Sequence, residues 1–186
     1  MEKKIILKQI AEKAYDIGFG AKKNFATYDI SQKIPGFINF ISLSIGILGL
    51  FIETFTVKHI SASLIILGII SLYVSPYTER NEIYEKNGVA STKLFNELKK
   101  LYYKIQSSDD TDYDTEIKEL KRIENEFYSQ TISKQILFSD WYAHYKFFWQ
   151  HQINWIDEEL NFKFWRDKIP LSAFIVSVTI FLIILA

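Results

Sequence analysis

The chain has 186 residues, with 22 Lys or Arg balanced by 22 Asp or Glu, so it has no overall basic signature for nucleic acid and direct nucleic-acid binding is not expected. Cysteine is absent, which excludes disulfides, thiolate metal sites and thiol catalysis. The mean hydropathy near zero conceals an uneven distribution, because three long uncharged runs sit beside a polar remainder that carries nearly all the charge.

In the first segment, residues 1–33, Ile6, Ile10, Ile17, Ala21, Phe25 and Tyr28 recur every three, four or seven residues. That period predicts one amphipathic helix from about Lys3 to Ile30 leading to a membrane. The segment is lysine-rich and has no early apolar core, unlike a cleavable signal peptide, so the first span is expected to act as its own uncleaved insertion signal. Pro35 fits the first turn of the helix that follows, where a missing N–H costs little.

The next segment, residues 34–77, holds two of the uncharged runs. Ile34 to Ile52 is nineteen residues long and Ile60 to Tyr77 is eighteen. At about 1.5 Å per residue each reaches roughly 27–29 Å, close to the ~30 Å hydrocarbon core of a bilayer. A core helix of a soluble protein rarely stays free of charge for so long, so the pair is read as a transmembrane hairpin. A third run, Ile169 to Ala186, adds eighteen uncharged residues and predicts a third span over residues 169–186. Lys and Arg placement sets the orientation: seven lysines precede Pro35, fourteen Lys or Arg lie between Thr78 and Ile169, and only Lys58 lies in the turn between the first two spans. The N-terminus and residues 78–168 are therefore expected in the cytoplasm of a multi-pass inner-membrane protein, with the turn Glu53–His59 outside.

The spans carry their own pattern. Asn39, Ser42, Gly46, Gly49 and Glu53 share a narrow stripe of the first, and Ser61, Gly68, Ser71 and Ser75 share a face of the second. Two readings remain open and are compatible. Small residues let helices approach closely in lipid, and the same stripe can line a water-filled path when several copies assemble. The third span has only Ser172 and Thr179 on a common face, which reads as packing or anchoring.

In residues 78–168, Ala90, Leu94, Leu98, Leu101 and Ile105 form an apolar stripe, and Ile117, Leu120, Ile123 and Phe127 form another. Between them SSDDTDYD, Ser107 to Asp114, is the clearest break, with Thr111 or Asp114 available as a helix cap. An antiparallel helical pair standing on the membrane is expected. The aromatic stretch Ser139 to Trp165, SDWYAHYKFFWQHQINWIDEELNFKFW, reads as a further helix; ten of its 27 residues are aromatic, including all four tryptophans. Trp165 suits a membrane-interface belt, whereas Trp141, Tyr145, Trp149 and Trp155 are candidates for an interface with protein; base stacking is the sharper alternative. Asp140, His144 and His151 would share a face of that helix, but a seven-residue histidine spacing separates the rings by about 10 Å, so packed histidines are expected rather than a metal site. Glycine is scarce outside the spans and there is no nucleophile motif, so neither an enzyme nor a cofactor is expected.

The order of these pieces resembles a known family. AYDIGFGAKKNFATYDI runs into the hairpin KIPGFINFISLSIGILGLF and SASLIILGIISLYVSPY, and RNEIYEKNGVASTKLFNELKKLYYKI follows, before the aromatic stretch. Over roughly residues 5 to 165 this is similar to the SLATT domain, a two-transmembrane effector associated with bacterial nucleotide-signalling and other conflict systems, from which the third span is a departure. The resemblance implies an all-α membrane protein that forms a homo-oligomer in the lipid bilayer. It also implies a pore opened on a signal from a partner enzyme, a nucleotide cyclase or a reverse transcriptase, and no catalytic residues. A non-conducting scaffold that recruits a cytosolic partner through the aromatic helix is the alternative. A small transporter is a weaker option, because no charge sits mid-span to couple an ion.

Overall fold

The amphipathic stripe of the N-terminal segment and the uncharged run that follows it belong to one helix, α1 (Lys3–Phe51), 49 residues and roughly 73 Å long. The computed structural model describes residues 2–52, 57–110 and 112–185. Beyond α1 they form α2 (Val57–Thr78), α3 (Asn81–Ser107), α4 (Asp114–Gln130), α5 (Ser139–Phe148), α6 (Asn154–Leu160), α7 (Phe164–Asp167) and α8 (Leu171–Leu185), with no strand among the described residues. Glu53 and Thr111, expected on the small-residue stripe and at a helix cap, lie outside the described residues.

Pro35 therefore sits inside a continuous helix and does not open a new one. Its missing N–H leaves the Ser31 carbonyl without the usual helical donor. The Thr78 hydroxyl at the end of α2 donates to that carbonyl instead, at 3.0 Å, so the helix passes the proline with no orphaned group.

The polar half of α1 is the axis of a helical bundle. It buries Ile6, Ile10 and Ile17 of the expected stripe, together with Ala14, in one core with Leu94, Phe95, Leu98, Tyr102 and Ile105 of α3. Small residues allow the approach: at Gly18 a Cβ would lie 2.8 Å from Phe95 Cδ2 and 2.9 Å from Phe147 Cε2. Leu120 and Ile123 of α4 and Phe147 of α5 close the same core. The short acidic turn does reverse the chain between α3 and α4, yet α3 packs chiefly on α1 and only secondarily on α4. At the start of α4, the Asp114 N–H donates to the Asp112 carboxylate at 3.1 Å, so Asp112 serves the end that Asp114 was expected to cap.

The aromatic stretch is not one helix. It breaks after Phe148 and again at Asn161, whose φ of 53° ends α6 in the left-handed conformation that asparagine tolerates. The break is stabilised locally, because the Phe162 N–H donates to Asp157 Oδ1 at 2.8 Å. A chain turning here can place Phe147, Ile153, Trp155 and Ile156 into the core together, which a straight helix could not.

Two helices, α1 and α2, are long and apolar enough to cross a membrane, and in the most apolar eighteen-residue window of each only 6% of residues are buried. A core helix of a soluble protein would be mostly buried. Here Phe37, Phe40, Leu43, Leu50, Ile65, Ile69 and Leu72 are all exposed, an apolar surface far larger than a water-soluble monomer tolerates. Helix α8 is as apolar but has 15 residues, about 22 Å. That is shorter than the bilayer core and shorter than the span expected over residues 169–186.

Candidate functional site in the hairpin and its base

The hairpin is antiparallel. Helix α1 turns Ile38, Ile41, Ile45 and Gly49 toward α2, and α2 turns Ile60, Ser63, Leu67, Val74 and Tyr77 toward α1, as their lower exposure records. Gly49 is a true contact: a Cβ there would come within 2.6 Å of Ile60 Cδ1. Ser42 and Gly49 thus lie at the edge of the α1–α2 seam, whereas Asn39, Gly46, Ser61, Gly68, Ser71 and Ser75 are exposed. A Cβ at Gly46 or Gly68 would meet nothing within 4 Å.

Rotation about the helix axes relates the two stripes. At about 100° per residue, the α1 stripe is offset from the line of contact by roughly 75°, and the α2 stripe by roughly 110° in the same sense of sequence. In antiparallel helices the same sense brings both to the same side of the hairpin. One side therefore carries Asn39, Ser42 and Gly46 beside Ser61, Gly68, Ser71 and Ser75, with Leu64 among them. The opposite side carries Phe37, Leu48 and Phe51 beside Ile66, Ile70 and Tyr73 and is mostly bulky.

At the polar end of the hairpin, residues 131–138 cross between α4 and α5 as an extended strap. With no helix to satisfy its backbone, the strap depends on side chains. Asn87 donates to the Gln130 carbonyl at its start, the Tyr84 hydroxyl to the Lys134 carbonyl at 2.8 Å and the Tyr77 hydroxyl to the Gln135 carbonyl at 3.3 Å. The Leu137 N–H in turn donates to the Tyr73 hydroxyl at 2.9 Å. The Gln135 side chain reaches inward, donating to Asn24 Oδ1 at 3.1 Å and accepting from the Thr27 hydroxyl. Asn24, Thr27 and Ser31 are all buried on α1. Ile136 packs in a second small core with Val74, Tyr77 and Tyr84, and burial pushes the Tyr84 phenol above its ordinary pKa. One strap thus joins α1, α2 and α3 at the foot of the hairpin. None of these residues was singled out from sequence. The available signal was Asn24, Thr27 and Ser31 continuing the face of Ile17 and Ala21, polar groups on an apolar face that call for buried partners.

The aromatic candidates separate. Tyr145 and Trp149 are exposed, Trp149 with its ring edge toward Phe164. Trp141 is partly covered, and its Nε1 donates to Ser172 Oγ at 2.9 Å. Trp155 is 3% exposed and packs against Tyr102 and Phe95, so it belongs to the monomer core and leaves the set of candidate interface residues. His144 and His151 do not share a helix. His144 Nδ1 lies 2.9 Å from the Asp140 carbonyl with its ring edge on Phe19, while His151 stacks on Phe95 in the bend after α5. Among the described residues no group of three or more His, Cys, Asp or Glu is placed to hold a metal ion.

Residues 1–177 match the family model described as SMODS and SLOG-associating 2TM effector domain 6. No curated protein and no solved structure matches the chain.

Proposed function

Because the chain belongs to the SLATT family, in the branch described as SMODS and SLOG-associating 2TM effector domain 6, we propose that it self-associates through the small-residue side of its hairpin and opens a pore when a partner signals. The family makes the protein a membrane effector of conflict systems; pore, oligomer and trigger are the proposal. One observation supports it above the others. The small and polar stripes of α1 and α2 lie on one side of the hairpin, largely uncovered, while the opposite side is mostly bulky. In lipid, helices associate by close packing of small residues, and bulky side chains are the ordinary lipid-facing surface. Copies meeting on the small side would also bring Asn39 and the serines to a common lining.

In this reading the membrane is the bacterial inner membrane, and the Lys and Arg distribution keeps α3 to α6 in the cytoplasm, where a nucleotide cyclase-like enzyme or a reverse transcriptase supplies the trigger. Helix α8 serves as an additional apolar anchor.

Gly46→Leu and Gly68→Leu provide the test, because open space around both positions lets each monomer fold unchanged. In cells whose growth is arrested by the protein, a membrane-potential dye should report depolarisation, and either substitution should abolish it. Growth arrest with the potential intact would overturn the pore. The exposure of Tyr145 and Trp149 supports a second reading, a scaffold that recruits a cytosolic partner. Tyr145→Ala with Trp149→Ala would then abolish partner capture, and the wild type would never depolarise the membrane.

A further inference from the structure

The strap has an outer side that the hairpin contacts do not use. Leu137 is 60% exposed and Phe138 54%, although neighbouring Ile136 and Ser139 are buried. The pair is held rigidly in that position. The Leu137 N–H is tied to the Tyr73 hydroxyl, the Phe138 carbonyl accepts from the Tyr142 N–H at 3.1 Å, and the Phe138 ring meets Trp141 at 5.0 Å. Phe138 also has a φ of 66°, a left-handed conformation unfavourable for a bulky residue. Two exposed apolar side chains, one on a strained backbone, are therefore presented outward by a fixed support.

Their surroundings indicate what covers them. On one flank are the last two turns of α2, whose Tyr73 belongs to the bulky side of the hairpin. On the other is the first turn of α8, joined through the bond from Trp141 Nε1 to Ser172 Oγ. Both neighbours are apolar helices, and the Leu137 backbone is bonded to Tyr73 on the exposed apolar surface of α2. We propose that Leu137 and Phe138 are seated in the interfacial layer of the bilayer, as a lipid contact of the polar bundle between α2 and α8. This rests on the hairpin lying in lipid but not on pore formation. Amphipathic and aromatic groups favour that layer, and its lipids would cover apolar area that water otherwise meets.

The absence of native cysteine makes the test direct. Full-length protein carrying Leu137→Cys or, separately, Phe138→Cys is labelled with a polarity-sensitive fluorophore and reconstituted in vesicles containing lipids with a nitroxide placed shallow or deep. The expected result is blue-shifted emission, quenched more by the shallow nitroxide than by the deep one, and several-fold more than a label at Tyr103→Cys on exposed α3. A label at Ile66→Cys, mid-helix in α2, reports on the hairpin separately and should be quenched by the deep nitroxide. Quenching at Ile66 without quenching at Leu137 and Phe138 overturns the proposal and leaves the hairpin in place. No quenching at Ile66 overturns the membrane reading itself. Blue-shifted but unquenched emission at Leu137 would mean that protein covers the patch, and it also overturns the proposal.

Discussion

Pro35 and Thr78 are far apart in sequence and solve one problem together. The proline deletes a backbone donor inside α1, and the hydroxyl of Thr78 replaces it at the Ser31 carbonyl. Leaving a buried carbonyl unpaired costs about 1–3 kcal/mol, so Thr78→Val is expected to destabilise the protein by that order, read as a lower midpoint of thermal unfolding in detergent. In a Pro35→Ala background the amide of residue 35 can supply the missing bond, and Thr78→Val should then cost distinctly less. Equal costs in both backgrounds would show that the pairing does not carry the helix past the proline. Neither residue announces this in the sequence. Pro35 marks a helix start there, and only the return of α2 alongside α1 brings a donor to Ser31.

Among the elements, the strap differs most from expectation. Residues 131–138 look like a plain connection, yet they make bonds to three helices through Asn24, Thr27, Tyr73, Tyr77 and Tyr84. The Gln135 amide is the hub, and a buried network with one member removed leaves its other polar groups unsatisfied. Gln135→Ala should therefore raise hydrogen exchange across residues 131–138 and the first turn of α5, while residues 10–17 of α1, which carry Ile10, Ala11, Ala14 and Ile17 of the main core, keep their protection. Uniform loosening of the bundle, or no change, would argue against a local clamp. Elements with strong internal periodicity were legible in advance: Ile6, Ile10, Ile17 and Ala21 of α1, the Leu94, Leu98, Leu101 and Ile105 row of α3, and Leu120 and Ile123 of α4 all reach the core, while Phe25 and Tyr28 stay partly exposed. The aromatic stretch was not, because its breaks depend on Asn161 adopting a left-handed conformation and on Asp157 bonding the chain that returns past it.

For the whole molecule, stability and pH are linked through the core beneath α5. Burial above all, with Lys22 and Lys99 nearby, lowers the His151 imidazole from its ordinary 6.5 to about 4. The unfolded chain takes up a proton below about pH 6.5, whereas the folded chain resists until about pH 4. Stability present at neutral pH is thus lost as the pH falls through that window, on the order of 1–2 kcal/mol once partial solvent contact at His151 is allowed for. His151→Phe should flatten this part of the pH profile in detergent melts. An unchanged profile would place the acid sensitivity elsewhere.

The sequence by itself determined the class of molecule: all helices, three uncharged runs of which two form helices of bilayer length, and a polar bundle with identifiable apolar faces. These are local quantities, set by composition and by a period of 3.6 residues, and they survive whatever the helices pack against. The tertiary structure alone decided which partner each face meets. It continued α1 through Pro35, buried Trp155 while exposing Trp149, laid the strap across the foot of the hairpin, and brought the small stripes of α1 and α2 to one side. Each outcome depends on the rotation and direction of one element relative to another, a relation between distant segments that no single stretch of chain encodes.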